Sequence, residues 1–200
     1  ARVAIGGGGG NGATAGTVAG TNGGTITTRA GGAHAIHAQS IGGGGGRAGA
    51  SQTIFGSLGP KSADSTVKAS VTFDMGGTGG TGNDAAPITI DNTGAIETAG
   101  ERARGIVAQS IGGGGGDGGA SSSFNFALNA ACKLVTSAYE CSSESDPGST
   151  SVSVNLSLSI GGSGGAAGDG GTVTVTNANT IRTTGDLSHA IYAHSIGGGG

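Results

Sequence analysis

A block of 36 residues recurs three times along this chain of 200, and that recurrence limits the fold more than any other feature. The blocks run from Ile5 to Ser40, Met75 to Ser110 and Ile160 to Ser195. They align without a gap and share ten identical positions. In the first copy these are Gly6, Gly7, Gly9, Gly10, Asn22, Ile26, Thr28, Ile36, Ala38 and Ser40. Each copy runs straight into I-G-G-G-G at Ile41, Ile111 and Ile196. Repeats of this length are supersecondary units that cannot bury an apolar face alone and must stack on their neighbours.

Variable units separate the constant ones: residues 41–74 (34 residues) and 111–159 (49 residues). The chain therefore divides into constant units at 1–40, 75–110 and 160–195, the two variable units, and the start of a further unit at 196–200. The variable units close with alternating runs. Val67, Ala69, Val71 and Phe73 share one face; Val152, Val154, Leu156 and Leu158 do the same. Phe124, Phe126 and Leu128 alternate likewise near an opening. A period of two with one apolar face predicts a half-buried strand, apolar side inward. In the constant unit, Val173 and Val175 alternate with threonines, and a short strand follows around Ile181. The last strand places Ile191, Ala193 and Ser195 on one face and Tyr192 and His194 on the other.

Glycine supplies 48 residues, aromatics 3% and charged residues 10%. Glycine costs backbone entropy on folding, so such abundance points to positions with positive φ or to backbones too close for a Cβ. Three prolines and the absence of any three-residue period argue against collagen. Abundant Val, Ile, Thr and Ser, with a net charge of only −3, argue against disorder. The expected fold is all-β: a repetitive, parallel β-helix-like β-solenoid with glycine-rich turns and hairpin-like variable insertions. Glycine runs would stack where successive coils turn or pass too close for side chains. Scattered Lys and Arg give no footprint for nucleic acid, and no apolar run is long enough to span a membrane. The chain begins and ends inside a repeat, and so reads as an excerpt of a longer one.

The run A-Q-S-I-G-G-G-G-G at Ala38–Gly46 and Ala108–Gly116 returns at Ala193–Gly200 with His194 in place of Gln. It resembles a repeat of the passenger regions of bacterial autotransporters, the large, type V secreted, adhesin-like surface polypeptides of Gram-negative bacteria. The repeat signature consists of Ile36, Ala38, Ser40 and Ile41, then Ile106, Ala108, Ser110 and Ile111, then Ile191, Ala193, Ser195 and Ile196. The resemblance implies a right-handed parallel β-helix, export through an outer-membrane barrel, and an extracellular or outer-surface location.

Candidate chemistry is sparse. Cys132 and Cys141 are the only cysteines. A disulfide between them would stabilise the longer variable unit by roughly 2.5–3 kcal/mol and would suit an oxidising compartment. Gly79–Asp84 matches the front of the G-G-x-G-x-D calcium repeat, with Asp169 aligned to Asp84, but the motif stands alone. A solvated turn aspartate is the preferred reading, so no cofactor is expected, with calcium near Asp84 as the minor alternative. His34 and His189 align with Arg104, which suits a polar surface position better than a metal ligand. His34 and His37 are expected on opposite faces of a strand. No nucleophile elbow, phosphate loop or catalytic constellation is present, and no enzymatic activity is expected. The expected function is a structural or adhesive segment of a long secreted or cell-surface fibre mediating attachment or cell–cell contact. A self-assembling filament or sheath subunit is the alternative. The expected partners are other copies or a host, abiotic or cell surface.

Overall fold

The computed structural model describes residues 1–58, 67–128, 131–135, 138–142 and 152–200. Side chains are described for these except at 55–58, 67–69, 125–128, 131–135, 138–142 and 152–155. All elements are strands: β1 (Arg2–Ile5), β2 (Val18–Asn22), β3 (Ile26–Thr28), β4 (Ile36–Ile41), β5 (Ser51–Leu58), β6 (Val67–Met75), β7 (Ile88–Asn92) and β8 (Ile96–Thr98). They continue as β9 (Ile106–Ile111), β10 (Ser121–Leu128), β11 (Ala131–Val135), β12 (Ala138–Ser142), β13 (Val152–Ile160), β14 (Val173–Asn177), β15 (Ile181–Thr183) and β16 (Ile191–Ile196). The fold is a parallel β-solenoid. Equivalent strands stack in register as β2–β7–β14, β3–β8–β15, β4–β9–β16, β1–β6–β13 and β5–β10. Among the described residues only β11 and β12 pair antiparallel.

One turn of the coil takes a constant and a variable unit together. Equivalent residues of the first and second copies lie 70 apart in sequence, and those of the second and third 85 apart. In each rung the constant unit forms a three-sided lobe. Its core holds Ile88, Ile90, Ile96, Ile106, Ala108 and Ala38, with Val18, Ile26, Val173, Val175 and Ile181 packed against them. The variable unit forms a second lobe in which the β5–β10 sheet faces the β6–β13 sheet. Its two long strands are not a hydrogen-bonded hairpin. Each pairs with its counterpart in the adjacent rung, and the only hairpin among the described residues is β11–β12.

The glycine runs join the lobes, and of their two expected roles close passage is the one realised. Gly6, Gly9 and Gly12 donate to Met75, Thr78 and Thr81 of the next rung at 2.8 Å each. Gly49, Gly46 and Gly43 donate to Gly7, Gly10 and Ala13 in the opposite sense, at 2.8, 2.7 and 2.8 Å. Bonds every third residue are the mark of polyproline II chains. The runs thus form two layers, parallel within a layer and antiparallel between layers. The absence of a three-residue period noted above is corrected here. Identity at Gly6, Gly7, Gly9 and Gly10 is a G-G-x triplet, repeated as Gly76-Gly77-Thr78 and Gly161-Gly162-Ser163.

Two glycines per triplet follow from the number of neighbours. A Cβ on Gly45 would lie 1.9 Å from Gly80 O, in the facing layer, and one on Gly77 would lie 2.0 Å from Gly7 O, in the rung beside it. The third residue points outward and is free to vary; there Arg47 meets Asp117 at 2.8 Å. Collagen, with one crowded axis, needs glycine only once in three. Positive φ accounts for little of the glycine. Among the described residues it occurs at one repeat position, held by Gly32, Arg102 and Leu187 in successive rungs.

Candidate functional site: ladders and outward faces

Three polar residues inside the constant lobe recur as ladders. Asn22 donates to Asn92 Oδ1 at 2.7 Å, and Asn92 to Asn177 Oδ1 at 2.6 Å. Each also caps its own turn, Asn22 at Gly24 O and Asn92 at Gly94 O. Thr28, Thr98 and Thr183 each donate to the carbonyl five residues on, at 2.7, 2.6 and 2.9 Å. Ser110 donates to Ala86 O at 3.0 Å and accepts from Gly171 N at 2.8 Å, tying its own rung to the next. With the core positions Ile26, Ile36 and Ala38 and the four glycines, all ten identical positions now have a structural cause.

The repeat signature divides along β4, β9 and β16. Ile36, Ile106, Ala38, Ala108, Ser40 and Ser110 face the lobe interior, and Ile191, Ala193 and Ser195 continue these columns at the last strand. Ile41 and Ile196 are exposed and Ile111 is half-buried, at the point where the chain leaves the lobe. Nothing in these twelve residues forms a reacting centre; they build the scaffold.

On the outside of this sheet the histidines converge. His34 sits in the corner before β4, and its ring meets that of His37 edge-on at 5.7 Å. This corrects the expectation that they point apart. Arg104 places its guanidinium 4.0 Å above the Tyr192 ring, and Tyr192 stacks on His194 at 4.1 Å. Val107 is buried on this outer side, flanked in register by His37 and Tyr192. The Arg104 backbone N–H donates to His34 Nδ1 at 3.1 Å. Burial foremost, then the Arg104 and His37 charges, lower the pKa of His34 below its ordinary value. Among the described residues no three His, Cys, Asp or Glu side chains gather as metal ligands would. Asp84 uses Oδ1 to accept the Asp169 N–H at 2.7 Å, a structural cap between rungs.

The variable lobe overturns the expected orientation of its alternating strand. In β6, Thr72 and Asp74 are buried, whereas Val71 is exposed. Leu156 and Leu158 in β13 are exposed as well. The interior is polar and narrow. Thr53 donates to Asp74 Oδ1, Ser123 and Ser159 lie 3.0 Å apart, and Asp74 Oδ2 and Ser51 Oγ have no partner among the described residues. Side chains at Val67, Ala69, Phe126, Leu128, Val152 and Val154 lie outside the described set. So do those of Cys132 and Cys141, although the backbone register sets these two directly opposite each other in β11–β12. Directly opposed antiparallel residues have Cα atoms about 4.5–5.5 Å apart, within the span of a disulfide.

Among the described residues no helix is long and apolar enough to cross a membrane. No family model, curated protein or solved structure matches the chain.

Proposed function

We propose that this chain is a structural, adhesive segment of a long secreted or cell-surface fibre, with the constant units as its spine and the variable units as its contact surfaces. The observation that carries this reading is the in-register stacking of three constant units. Their interior ladders link backbone and side chains from rung to rung, so the scaffold can extend by adding rungs. The difference between 34 and 49 residues is taken up in the variable lobe, where β11 and β12 belong to the longer unit. The autotransporter resemblance and an outer-surface location belong to this proposal, as does the absence of catalysis.

Exchange of unit 111–159 for a copy of unit 41–74 in the protein as its cells express it tests it. Surface display, read by immunogold labelling of intact cells, should persist while attachment to cells or surfaces falls. Unchanged attachment, or labelling confined to the cell interior, would overturn the reading. In the same setting we expect a Cys132–Cys141 disulfide. Intact-mass measurement without reduction should find the chain lighter by two hydrogens, and alkylation of both thiols would show the pair to be reduced.

A further inference from the structure

The outer face of the β1–β6–β13 sheet is apolar throughout its described positions. Strand register lines its side chains into columns: Val71 with Leu156; Val3, Phe73 and Leu158; Ile5, Met75 and Ile160. Seven of these eight are exposed, from 37% at Met75 to 70% at Ile5. Alternation sends Thr72 and Asp74 to the other side, so no polar side chain interrupts the patch. Five of the eight lie on the end strands β1 and β13, where the open stack adds to their exposure, and together the eight present on the order of several hundred Å², at or above what is usual for a monomer's largest apolar patch.

We infer that this face pairs with the same face of a second copy, sheet against sheet. Three observations select this occupant. The columns repeat at the spacing of stacked strands, about 4.8 Å, and only a partner with that period can fill every row. A second copy has it by construction. The face offers no charge or hydrogen-bond donor among its described positions, which disfavours a polar ligand. It carries no Lys or Arg at those positions and the chain's net charge is −3, which disfavours an anionic lipid surface. Two such faces stack about 10 Å apart with interdigitated side chains and form a dry seam between coils. The opposite wall is not equivalent, because its outer face sets Ile54 and Phe124 beside exposed Gln52 and Ser122. This pairing goes beyond the fibre reading, since rungs stack through their own backbone bonds whether or not coils associate laterally.

Sedimentation velocity across a concentration series tests the pairing directly. The chain should pass from monomer to dimer, and Val71→Thr/Leu158→Thr/Ile160→Thr, which keeps strand-forming side chains, should weaken association at least tenfold. Ile54→Thr should leave it unchanged. Met75 is the only methionine, so a 13C-methyl label on it gives one signal from the middle strand of the face. In unsubstituted protein that signal should shift with concentration and show contacts to the methyl groups of a differently labelled copy. This second measurement stands even if the triple variant fails to fold. A monomer at the highest soluble concentration, a concentration-independent Met75 signal, or association that survives the triple substitution in a folded chain would overturn the inference. So would association abolished by Ile54→Thr.

Discussion

Glycine in this chain is set by carbonyl oxygens of neighbouring segments, and single methyl groups should reveal it. Gly45→Ala would set a Cβ 1.9 Å from Gly80 O, whereas at Gly8 the nearest atom, Thr78 O, is 3.6 Å away. We therefore expect Gly45→Ala to cost at least 3 kcal/mol, roughly the upper range for overpacking, and Gly8→Ala less than about 0.5 kcal/mol. Denaturant melts of the two variants compare them. His34 gives a second readout. Its folded pKa lies below the unfolded value of about 6.5, so the unfolded chain binds more protons and stability rises with pH through that window. The contribution is present above the unfolded pKa and is lost as pH falls through the folded one, where protonation also ends acceptance of the Arg104 N–H at Nδ1. Melting temperature should fall between pH 7.5 and 5, and His34→Gln should flatten that dependence.

At the scale of strands and glycine runs, the sequence revealed which elements exist better than which way they face. The strand at Ile191–Ile196 was legible because Ile191, Ala193 and Ser195 alternate with larger polar residues, and small aliphatic groups fit a narrow core. The strand at Val67–Met75 alternates as clearly, yet among its described side chains Val71 is exposed while Thr72 and Asp74 are buried. Alternation states that two faces differ; which one is enclosed depends on the opposite sheet. Here that sheet brings Ser51 and Thr53, which leave room for Thr72 and Asp74. The polyproline array was legible in Gly6, Gly7, Gly9 and Gly10, but a search for glycine once in three passes over a twice-in-three pattern. The histidine cluster was hidden because its members come from rungs 70 and 85 residues apart. Asp74 offers a test at this scale. Its Oδ2 is buried without a partner among the described residues, while Ser159 occupies the same position one rung on and meets Ser123. Asp74→Ser should raise stability by about 1–2 kcal/mol, the cost of an unsatisfied buried polar atom. A lower melting temperature would mean that the carboxyl is satisfied by a group or water not yet identified.

For the whole molecule, the length of a rung decides its mechanics. Rungs of 70 and 85 residues rise only about 4.8 Å each, so the coil is broad, and much chain is stored in little height. Pulled from one end, the last rung peels away while those beneath keep their bonds, because each rung contacts only its neighbours. A released rung of 70 or 85 residues supplies about 230 or 280 Å of extended chain, at roughly 3.3 Å per residue. Force spectroscopy on tandem copies should show a sawtooth with increments of those two sizes; one increment spanning several rungs would mean that they yield together. Each released rung lengthens roughly fifty- to sixtyfold before the next bond row is loaded. A tether built this way would act as a ratcheted brake on whatever it holds, dissipating the pull of flowing liquid a rung at a time.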